Sequence, residues 1–346
     1  MLDLLYAQAA RIARRRFERR PDLRRALGAP VVSVGNLSVG GTGKTPVAAA
    51  LAAWLAARGE RPAILSRGYG RARRRDGVVV VSDGTRVTAS VEEAGDEPVL
   101  LARLVPGAAV LVCDDRVLAG RLAEARLGCT VHVLDDGFQQ VGLHKDLDVL
   151  VTSVGEIPGG RVLPLGRLRE PADAAARADV VVVMGADAAG ARAEAWTLGV
   201  SQSLGARRVL GAPRPAGRVP DGPVVAFAGI GQPQQFFDGL RDAGWTVART
   251  LAFPDHHPYG PRDAARIAAA VADAGATGAL TTEKDAVRLE ALGSFPCPLA
   301  AVPLSLAFDG WDALADAVAA AIDRARQRTA DDAVWPPLAA PPGPAS

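Results

Sequence analysis

The chain has few cysteines, few aromatic residues and little net charge. Its three cysteines, Cys113, Cys129 and Cys297, are far apart and odd in number. This excludes a disulfide framework and a paired-cysteine zinc site, and it is typical of a reducing compartment. There is no run of about 18 apolar residues and no signal-peptide pattern, so we expect neither a conventional membrane span nor secretion. A net charge of only +2 predicts no nucleic-acid partner.

The most informative stretch is 31–46, where an apolar strand pattern precedes a glycine-rich loop and Lys44-Thr45. Glycines let backbone N–H groups approach phosphate oxygens, and a helix N-terminus adds partial positive charge. Lys44 would reach the β- and γ-phosphates of a nucleotide, and Thr45 would bind Mg²⁺. The predicted nucleotide-binding residues are Ser38, Val39, Gly40, Gly41, Thr42, Gly43, Lys44 and Thr45.

One position of this loop departs from the strict phosphate-binding pattern, because Ser38 stands where the first glycine belongs. The alternative is a glycine-rich turn with a surface lysine. That alternative does not explain why Lys-Thr opens a helix directly after a buried strand.

Two further groups of polar residues are candidates for catalysis. Asp135 and Asp136 end an apolar strand, where sheets of nucleotide-processing proteins hold Mg²⁺. Adjacent acids repel each other unless a cation lies near, which favours a functional role. Asp96 precedes a predicted helix and could simply be its N-cap. His256, in a proline-bounded loop, could ligate a metal, belong to a catalytic dyad or lie in a surface turn.

Basic residues cluster in two places. Residues 1–27 have a helical apolar periodicity opposed by many arginines, which predicts a helix in the headgroup layer of an anionic membrane. An ordinary surface helix is the alternative. Residues 66–71, with the arginines at 73–75, read as an anion-binding loop with Tyr69 as its aromatic anchor, or as a basic hairpin turn.

Strand-like and helical segments alternate along the chain. This predicts an α/β fold, a P-loop-type doubly wound and mostly parallel sheet with a second, smaller α/β lobe. Gly229 and Gly231 give a weak signal for another dinucleotide loop in that lobe. The predicted segments are an amphipathic helix 1–27, a P-loop domain 28–205, a linker 206–222, a second lobe 223–328 and a disordered tail 329–346.

Taken in order, these motifs resemble the tetraacyldisaccharide 4′-kinase family of lipid A biosynthesis. The segments that carry the resemblance are Asn36–Pro46, Ser66–Tyr69, Gly95–Pro98, Asp135–Gln139, Leu168–Pro171, Phe253–His257 and Thr282–Val287. The resemblance implies transfer of the γ-phosphate of ATP, with Mg²⁺, to the 4′-hydroxyl of an acylated disaccharide. It also implies an anionic membrane surface as partner, at the cytoplasmic face of the inner membrane. We expect a monomer.

The resemblance also implies roles for individual residues. Asp96 would be the base, with His256 as its dyad partner from the second lobe and Lys44 neutralising phosphate charge. Thr45, Asp135 and Asp136 would hold the metal, while Lys284 and Asp285 would face the cleft. The residues implied to bind the acceptor are Arg67, Tyr69, Arg71, Gln139 and Glu170.

Two departures from the family pattern stand out. The first segment is shorter and less apolar than the family's membrane stem, which favours interfacial attachment. Arg167 occupies a position where the family usually has proline, three residues before Glu170.

Two rival functions fit parts of the pattern. A P-loop GTPase or metal-insertase ATPase shares the glycine loop, but the nearest guanine-binding motif, at 282–285, lacks a residue after its lysine. A non-catalytic membrane scaffold that binds nucleotide would not need Asp96 or the acid pair.

Overall fold

The computed structural model describes residues 2–69, 71, 76–215 and 219–333. The predicted basic cluster at 73–75 and residues 334–346 of the predicted tail lie outside the described residues. The helices are α1 (Leu2–Arg19), α2 (Lys44–Ala57), α3 (Val91–Ala94), α4 (Asp96–Leu104), α5 (Arg116–Leu127), α6 (Ala188–Leu198), α7 (Pro233–Asp242), α8 (Pro261–Asp273), α9 (Glu283–Leu289) and α10 (Trp311–Ala333). The strands are β1 (Val31–Gly35), β2 (Pro62–Ser66), β3 (Val79–Asp83), β4 (Ala109–Val112), β5 (Val131–Asp135), β6 (Leu147–Ser153), β7 (Val180–Met184), β8 (Gln202–Leu210), β9 (Arg214–Pro215), β10 (Val224–Ala228), β11 (Val247–Ala252), β12 (Gly278–Thr282), β13 (Leu299–Val302) and β14 (Leu304–Asp309).

A nine-stranded sheet organises the larger part of the molecule, in the order β14–β8–β7–β6–β1–β5–β2–β4–β3. Neighbouring strands run parallel except at the two edges, where β14 opposes β8 and β3 opposes β4. The inner strands are buried and largely apolar without alternation, as expected where helices cover both faces. The predicted doubly wound, mostly parallel fold is confirmed.

The strand order fixes where a ligand can bind. From β1 the chain passes through α2 to β2, which lies on the far side of β5, whereas β6 flanks the other side of β1. Loops diverge at such a point and leave a crevice at the carboxyl ends of the strands. Val34 pairs with Asp135 in parallel register. The glycine loop after β1 and the acid pair at the end of β5 therefore lie side by side.

A five-stranded sheet forms the second lobe, in the order β11–β10–β12–β13–β9, with only β9 antiparallel. Ile267 and Val271 of α8 pack on one face, and Phe236 and Leu240 of α7 pack on the other. Phe227 of β10 lies at the centre of an aromatic cluster on the α8 side.

The second lobe is an insertion within the larger sheet, which the predicted domain boundaries do not anticipate. The strand β8 continues to Leu210, inside the predicted linker 206–222. After the second lobe, β14 returns and pairs antiparallel with β8, Leu304 opposite Leu210. At this crossing the N–H of Gly211 donates to the carbonyl oxygen of Pro303 at 2.9 Å.

The last helix also belongs to the larger sheet rather than to the predicted lobe 223–328. Leu314, Val318 and Ile322 of α10 are buried in the same core as α2 and β1. The helix runs to Ala333 and so includes the first residues of the predicted tail. An amphipathic pattern predicts a buried face but not which sheet that face covers.

No helix within the described ranges combines the length and the apolar character needed to cross a bilayer.

The position of α10 predicts where its core residues contribute stability. Leu314 has no exposed surface, so Leu314→Ala should lower the free energy of unfolding by about 2–5 kcal/mol. The exposed Asp316 on the same helix provides a control, because Asp316→Ala should change it by less than about 0.5 kcal/mol. Denaturant unfolding measures both values, and equal effects would contradict this packing.

Candidate active site

The glycine loop between β1 and α2 is shaped to hold an anion. Gly40 and Gly43 have φ angles of 115° and 98°, in the left-handed region that favours glycine. Asn36 Nδ2 donates to Thr42 Oγ1 at 2.8 Å, and both side chains are buried. The first turn of α2 carries no acidic side chain of its own, and the positive end of the helix dipole points toward the loop. The loop therefore fits the phosphates that the sequence predicts.

The first two residues of this loop are engaged by the protein itself. Ser38 Oγ donates to Glu156 Oε1 at 2.6 Å. The N–H of Val39 donates to the carbonyl oxygen of Arg167 at 2.8 Å, and the Arg167 guanidinium donates to the Val39 carbonyl oxygen at 2.8 Å. Arg167 thus braces the loop. Nucleotide contacts of Ser38 and Val39 stay a prediction.

The predicted phosphate and metal residues meet at the crevice. Thr45 Oγ1 donates to Asp135 Oδ1 at 3.4 Å. Lys44 Nζ lies 4.0 Å from Asp136 Oδ1. A lysine, a hydroxyl and two carboxylates therefore surround one point at the start of α2.

The electrostatics of this point favour a bound cation. Asp135 is 2% exposed, and its burial, reinforced by the charge of Glu97, raises the pKa of Asp135 to about 7. Such a carboxylate is stabilised in its ionised form only by nearby positive charge. Thr45, Asp135 and Asp136 offer the oxygen ligands that Mg²⁺ prefers. The residues present therefore fit the predicted metal.

The edge of the site is organised by Arg169. Its Nη1 donates to both carboxylate oxygens of Asp136 at 2.9 Å and to Gln139 Oε1 at 3.2 Å. Gln139 Nε2 lies 3.4 Å from Glu170 Oε1. Glu170 is buried and paired with Arg177 at 3.1 Å. Gln139 therefore faces the acid pair, whereas Glu170 lies behind it among protein partners, and its contact with the acceptor stays a prediction.

The predicted base and its partner are in contact across the two lobes. Both oxygens of Asp96, the first residue of α4, lie 3.1 Å from His256 Nδ1. The cap of α4 is Gly95, so Asp96 is not an N-cap. His256 has a φ of 58°, an unusual backbone conformation for a non-glycine residue. Arg288 of α9 also donates to Asp96 Oδ2.

The protonation state of His256 follows from its surroundings. Burial, together with the charge of Lys284, lowers the pKa of His256, so its imidazole is neutral at pH 7. Its Nε2 lies 3.4 Å from Lys284 Nζ, which can only donate. The ring proton is therefore on Nδ1, where it donates to Asp96. Burial lowers the pKa of Arg288 to about 10, which leaves Arg288 cationic.

Glu97 connects the base to the phosphate site. Lys284 Nζ donates to Glu97 Oε1 at 3.0 Å. Burial acts to raise the pKa of Glu97, but Lys284 and Lys44 outweigh it and lower this pKa. Because Glu97 interacts with Lys44 as well as with Asp135, Asp96 lies next to the phosphate loop rather than at a remote edge.

The predicted acceptor residues divide into two groups. The ring of Tyr69 lies edge-to-face with His256, with centroids 5.5 Å apart. Arg67 and Arg71 each reach Asp114, at 3.4 Å. Tyr69 thus borders the base, while the arginines form a cationic group beyond β4.

The motif that resembled a guanine-binding site has another role. Asp285 has no exposed surface. Its carboxylate accepts from the hydroxyls of Thr282 at 2.7 Å and Tyr259 at 3.1 Å. It is therefore not free to bind a guanine base, and the GTPase alternative loses its candidate base-recognition motif.

Three site residues escaped the predictions. They are Glu97, Arg169 and Arg288. Glu97 and Arg169 adjoin predicted residues within recognised segments, a signal that could have found them. Arg288 lies one helical turn after Lys284, but nothing in the sequence pairs it with a residue far upstream.

Comparison with known proteins shows which family this chain resembles. The model of the family described as tetraacyldisaccharide-1-P 4′-kinase matches residues 1–323. A tetraacyldisaccharide 4′-kinase of Geobacter metallireducens is 47% identical over 270 residues, covering 76% of this chain and 79% of the relative. The corresponding protein of Geobacter sulfurreducens is 42% identical over 299 residues, covering 83% of this chain and 82% of the relative.

A solved structure extends the match to three dimensions. It is the crystal structure of LpxK from Aquifex aeolicus, described as an "apo" form in complex with ATP. It superposes with a TM-score of 0.74 and 31% identity, over 93% of this chain and 97% of that one. From its sequence, its fold and the assembly of its site, the chain belongs to the tetraacyldisaccharide-1-P 4′-kinase family.

Proposed function

We propose that this chain transfers the γ-phosphate of ATP to the 4′-hydroxyl of a tetraacyldisaccharide 1-phosphate, forming lipid IVA. The main support is the continuity of charged groups from the phosphate loop to Asp96, through Glu97. The ATP complex of the related Aquifex protein supports the choice of nucleotide. The relatives' shared name supports the choice of acceptor.

The phosphate loop positions and neutralises the triphosphate. Backbone N–H groups of the glycine loop would donate to its oxygens, and Lys44 would offset the charge between the β- and γ-phosphates. Thr45, Asp135 and Asp136 would hold Mg²⁺, which would draw charge from the phosphoryl oxygens when bound. Arg169 keeps Asp136 in place through two hydrogen bonds.

Asp96 accepts the proton of the attacking sugar hydroxyl. Its ionised carboxylate is oriented by the Nδ1–H of neutral His256 and by Arg288. The oxygen that loses this proton forms the new bond to phosphorus while the bond to the departing ADP breaks. Because His256 comes from the second lobe, the base is complete only when the lobes meet, which limits wasteful ATP hydrolysis.

The acceptor lies where Tyr69 and Gln139 flank the base and the acid pair. Arg67 and Arg71 supply cations for the acidic parts of the acceptor or for nearby lipid phosphates. Glu170 supports this wall from behind by pairing with Arg177.

The first helix supplies contact with an anionic membrane at the inner, cytoplasmic face. Arg14 of α1 is buried against Asp173 at 3.6 Å and Glu170 at 3.9 Å, which docks the helix onto the larger lobe. Arg15, Arg16 and Arg19 remain exposed. An exposed basic row on a docked helix favours interfacial binding near the acceptor.

Replacing the base tests the activity and the assignment together. Asp96→Asn should lower kcat by about 10²–10⁴-fold, because proton transfer is lost. ATP binding should change little, because Lys44 and the loop are untouched. The assay follows label from γ-labelled ATP into a disaccharide 1-phosphate lipid in detergent. The control is Asp312→Asn, at the exposed start of α10. Normal turnover by Asp96→Asn would refute the assignment of Asp96 as the base.

The ionised side chain of Asp135 should lower the free energy of unfolding of the metal-free protein. Because its pKa rises from 3.8 to about 7 on folding, the folded state binds this proton more tightly than the unfolded state. The ionised side chain is therefore destabilising above the unfolded value, and fully so above the folded one. Asp135→Asn should raise the free energy of unfolding by about 1 kcal/mol or more at pH 8 while abolishing Mg²⁺-dependent transfer.

Thermal denaturation of the metal-free protein at pH 5 and pH 8 measures this effect. The stabilisation should shrink toward acidic pH. Asp136→Asn is the matched control, because it breaks a bidentate ion pair with Arg169 and should not stabilise. A lower melting temperature for Asp135→Asn at pH 8 would contradict the destabilising role.

Removing positive charge from α1 tests whether this helix binds an anionic membrane. Arg15→Gln, Arg16→Gln and Arg19→Gln together should weaken binding to anionic vesicles by at least about tenfold, at about 1 kcal/mol per arginine. Three exposed arginines elsewhere, Arg126, Arg192 and Arg262, provide an equal charge change as control. Vesicle co-sedimentation measures both, and equal losses would show that α1 is not the binding surface.

A further inference from the structure

A buried arginine reaches across the lobes to the base. Arg288, on α9, is 9% exposed and donates through Nη2 to Asp96 Oδ2. Through Nη1 it donates to the carbonyl oxygen of Gly229 at 3.1 Å and to Asp285 Oδ1 at 3.0 Å. Both ends of its guanidinium are therefore in use, one on each lobe.

Asp285 fixes this arginine from behind. Its carboxylate accepts from the hydroxyls of Thr282 and Tyr259 and from the N–H of Gly229. A Cβ on Gly229 would lie 2.9 Å from the Tyr259 hydroxyl and 3.1 Å from Asp285, so only glycine fits. The Gly229 signal first read as a dinucleotide loop is thus explained by this network.

The charges on α9 match those on α4. Lys284 and Arg288 lie one helical turn apart and meet Glu97 and Asp96, which are adjacent in sequence. Glu97 and the nearby Asp135 are both acidic, so a carboxylate at Asp96 needs a cation to remain ionised among them. His256, being neutral, supplies a hydrogen bond but no charge. Lys284 Nζ lies 4.0 Å from Asp96 Oδ2 and is a more distant cation than Arg288, which donates to that oxygen directly.

Resting on the proposed role of Asp96 as base, we propose that Arg288 is the residue that positions it. Arg288 holds Oδ2 through a charged hydrogen bond and leaves the remaining lone pairs of the carboxylate to accept the hydroxyl proton. Arg288 itself neither gains nor loses a proton. Because it is carried by the second lobe, the base is set in its working orientation only by the cross-lobe contact.

A second ion pair between the lobes provides a control that distinguishes positioning of the base from attachment of one lobe to the other. Arg103 of α4 pairs with Glu290, just after α9, and both side chains are exposed. Glu290→Gln therefore removes a cross-lobe contact between the same two elements without touching the base.

The first measurement compares kcat and KM in the lipid kinase assay. Arg288→Met should lower kcat by about 10²-fold, as expected for a misplaced catalytic group, with KM for ATP within about twofold. Arg288→Lys, which keeps the charge but not the fork of donors, should recover part of that loss. Glu290→Gln should stay within about twofold of the unsubstituted protein. Equal effects of Arg288→Met and Glu290→Gln would overturn the proposal.

A double-mutant cycle with Asp96→Asn gives the decisive result. If Arg288 acts through Asp96, then Arg288→Met should change kcat by less than about twofold in the Asp96→Asn background. Multiplicative losses would refute positioning and leave the base assignment intact. Full activity of the Asp96→Asn variant alone would instead refute the assignment of Asp96 as the base. ATP binding and thermal melting check that each variant folds. If Arg288→Met does not fold, the same double-mutant cycle is measured with Arg288→Lys.

Discussion

The pairing of two acids on α4 with two cations on α9 is the interaction on which the site depends. Asp96 and Glu97 belong to the larger lobe, whereas Lys284 and Arg288 belong to the second. Each pair is largely shielded from water, where an ion pair is strong only if its geometry is right. Val287, between the two cations, packs into the core of the larger lobe. The lobes therefore meet through an apolar contact flanked by charges, which aligns the catalytic groups.

The nucleotide side of the site depends on sheet topology instead. The parallel register of β1 and β5 brings Lys44 and Thr45 to the acid pair within the larger lobe. The cost of this arrangement is a buried, poorly solvated carboxylate at Asp135. That cost is the usual one for a cation site, because a metal recovers it on binding.

Much of the larger lobe could be predicted from sequence, because its parallel strands are short apolar runs punctuated by glycine. β1, β5 and β7 are buried strands of this kind. No comparable apolar run marks β8, which is half polar although it lies between β7 and β14. Nothing local indicates which sheet β14 and α10 join. Asp96 and His256 were predicted from family resemblance, and Arg288 was missed because its partner lies far upstream and no local periodicity links them.

The insertion of one lobe inside another sheet has a consequence for biosynthesis. During translation, β8 emerges as an unprotected edge, and its partner β14 is made only after the whole second lobe. The nascent chain must therefore complete a distant unit before the catalytic sheet can close, a non-local order that slows folding. The hydrogen bond between Gly211 and Pro303 marks where the chain leaves this sheet and returns to it. Because β14 is made so late, ribosome-bound intermediates would present β8 to chaperones.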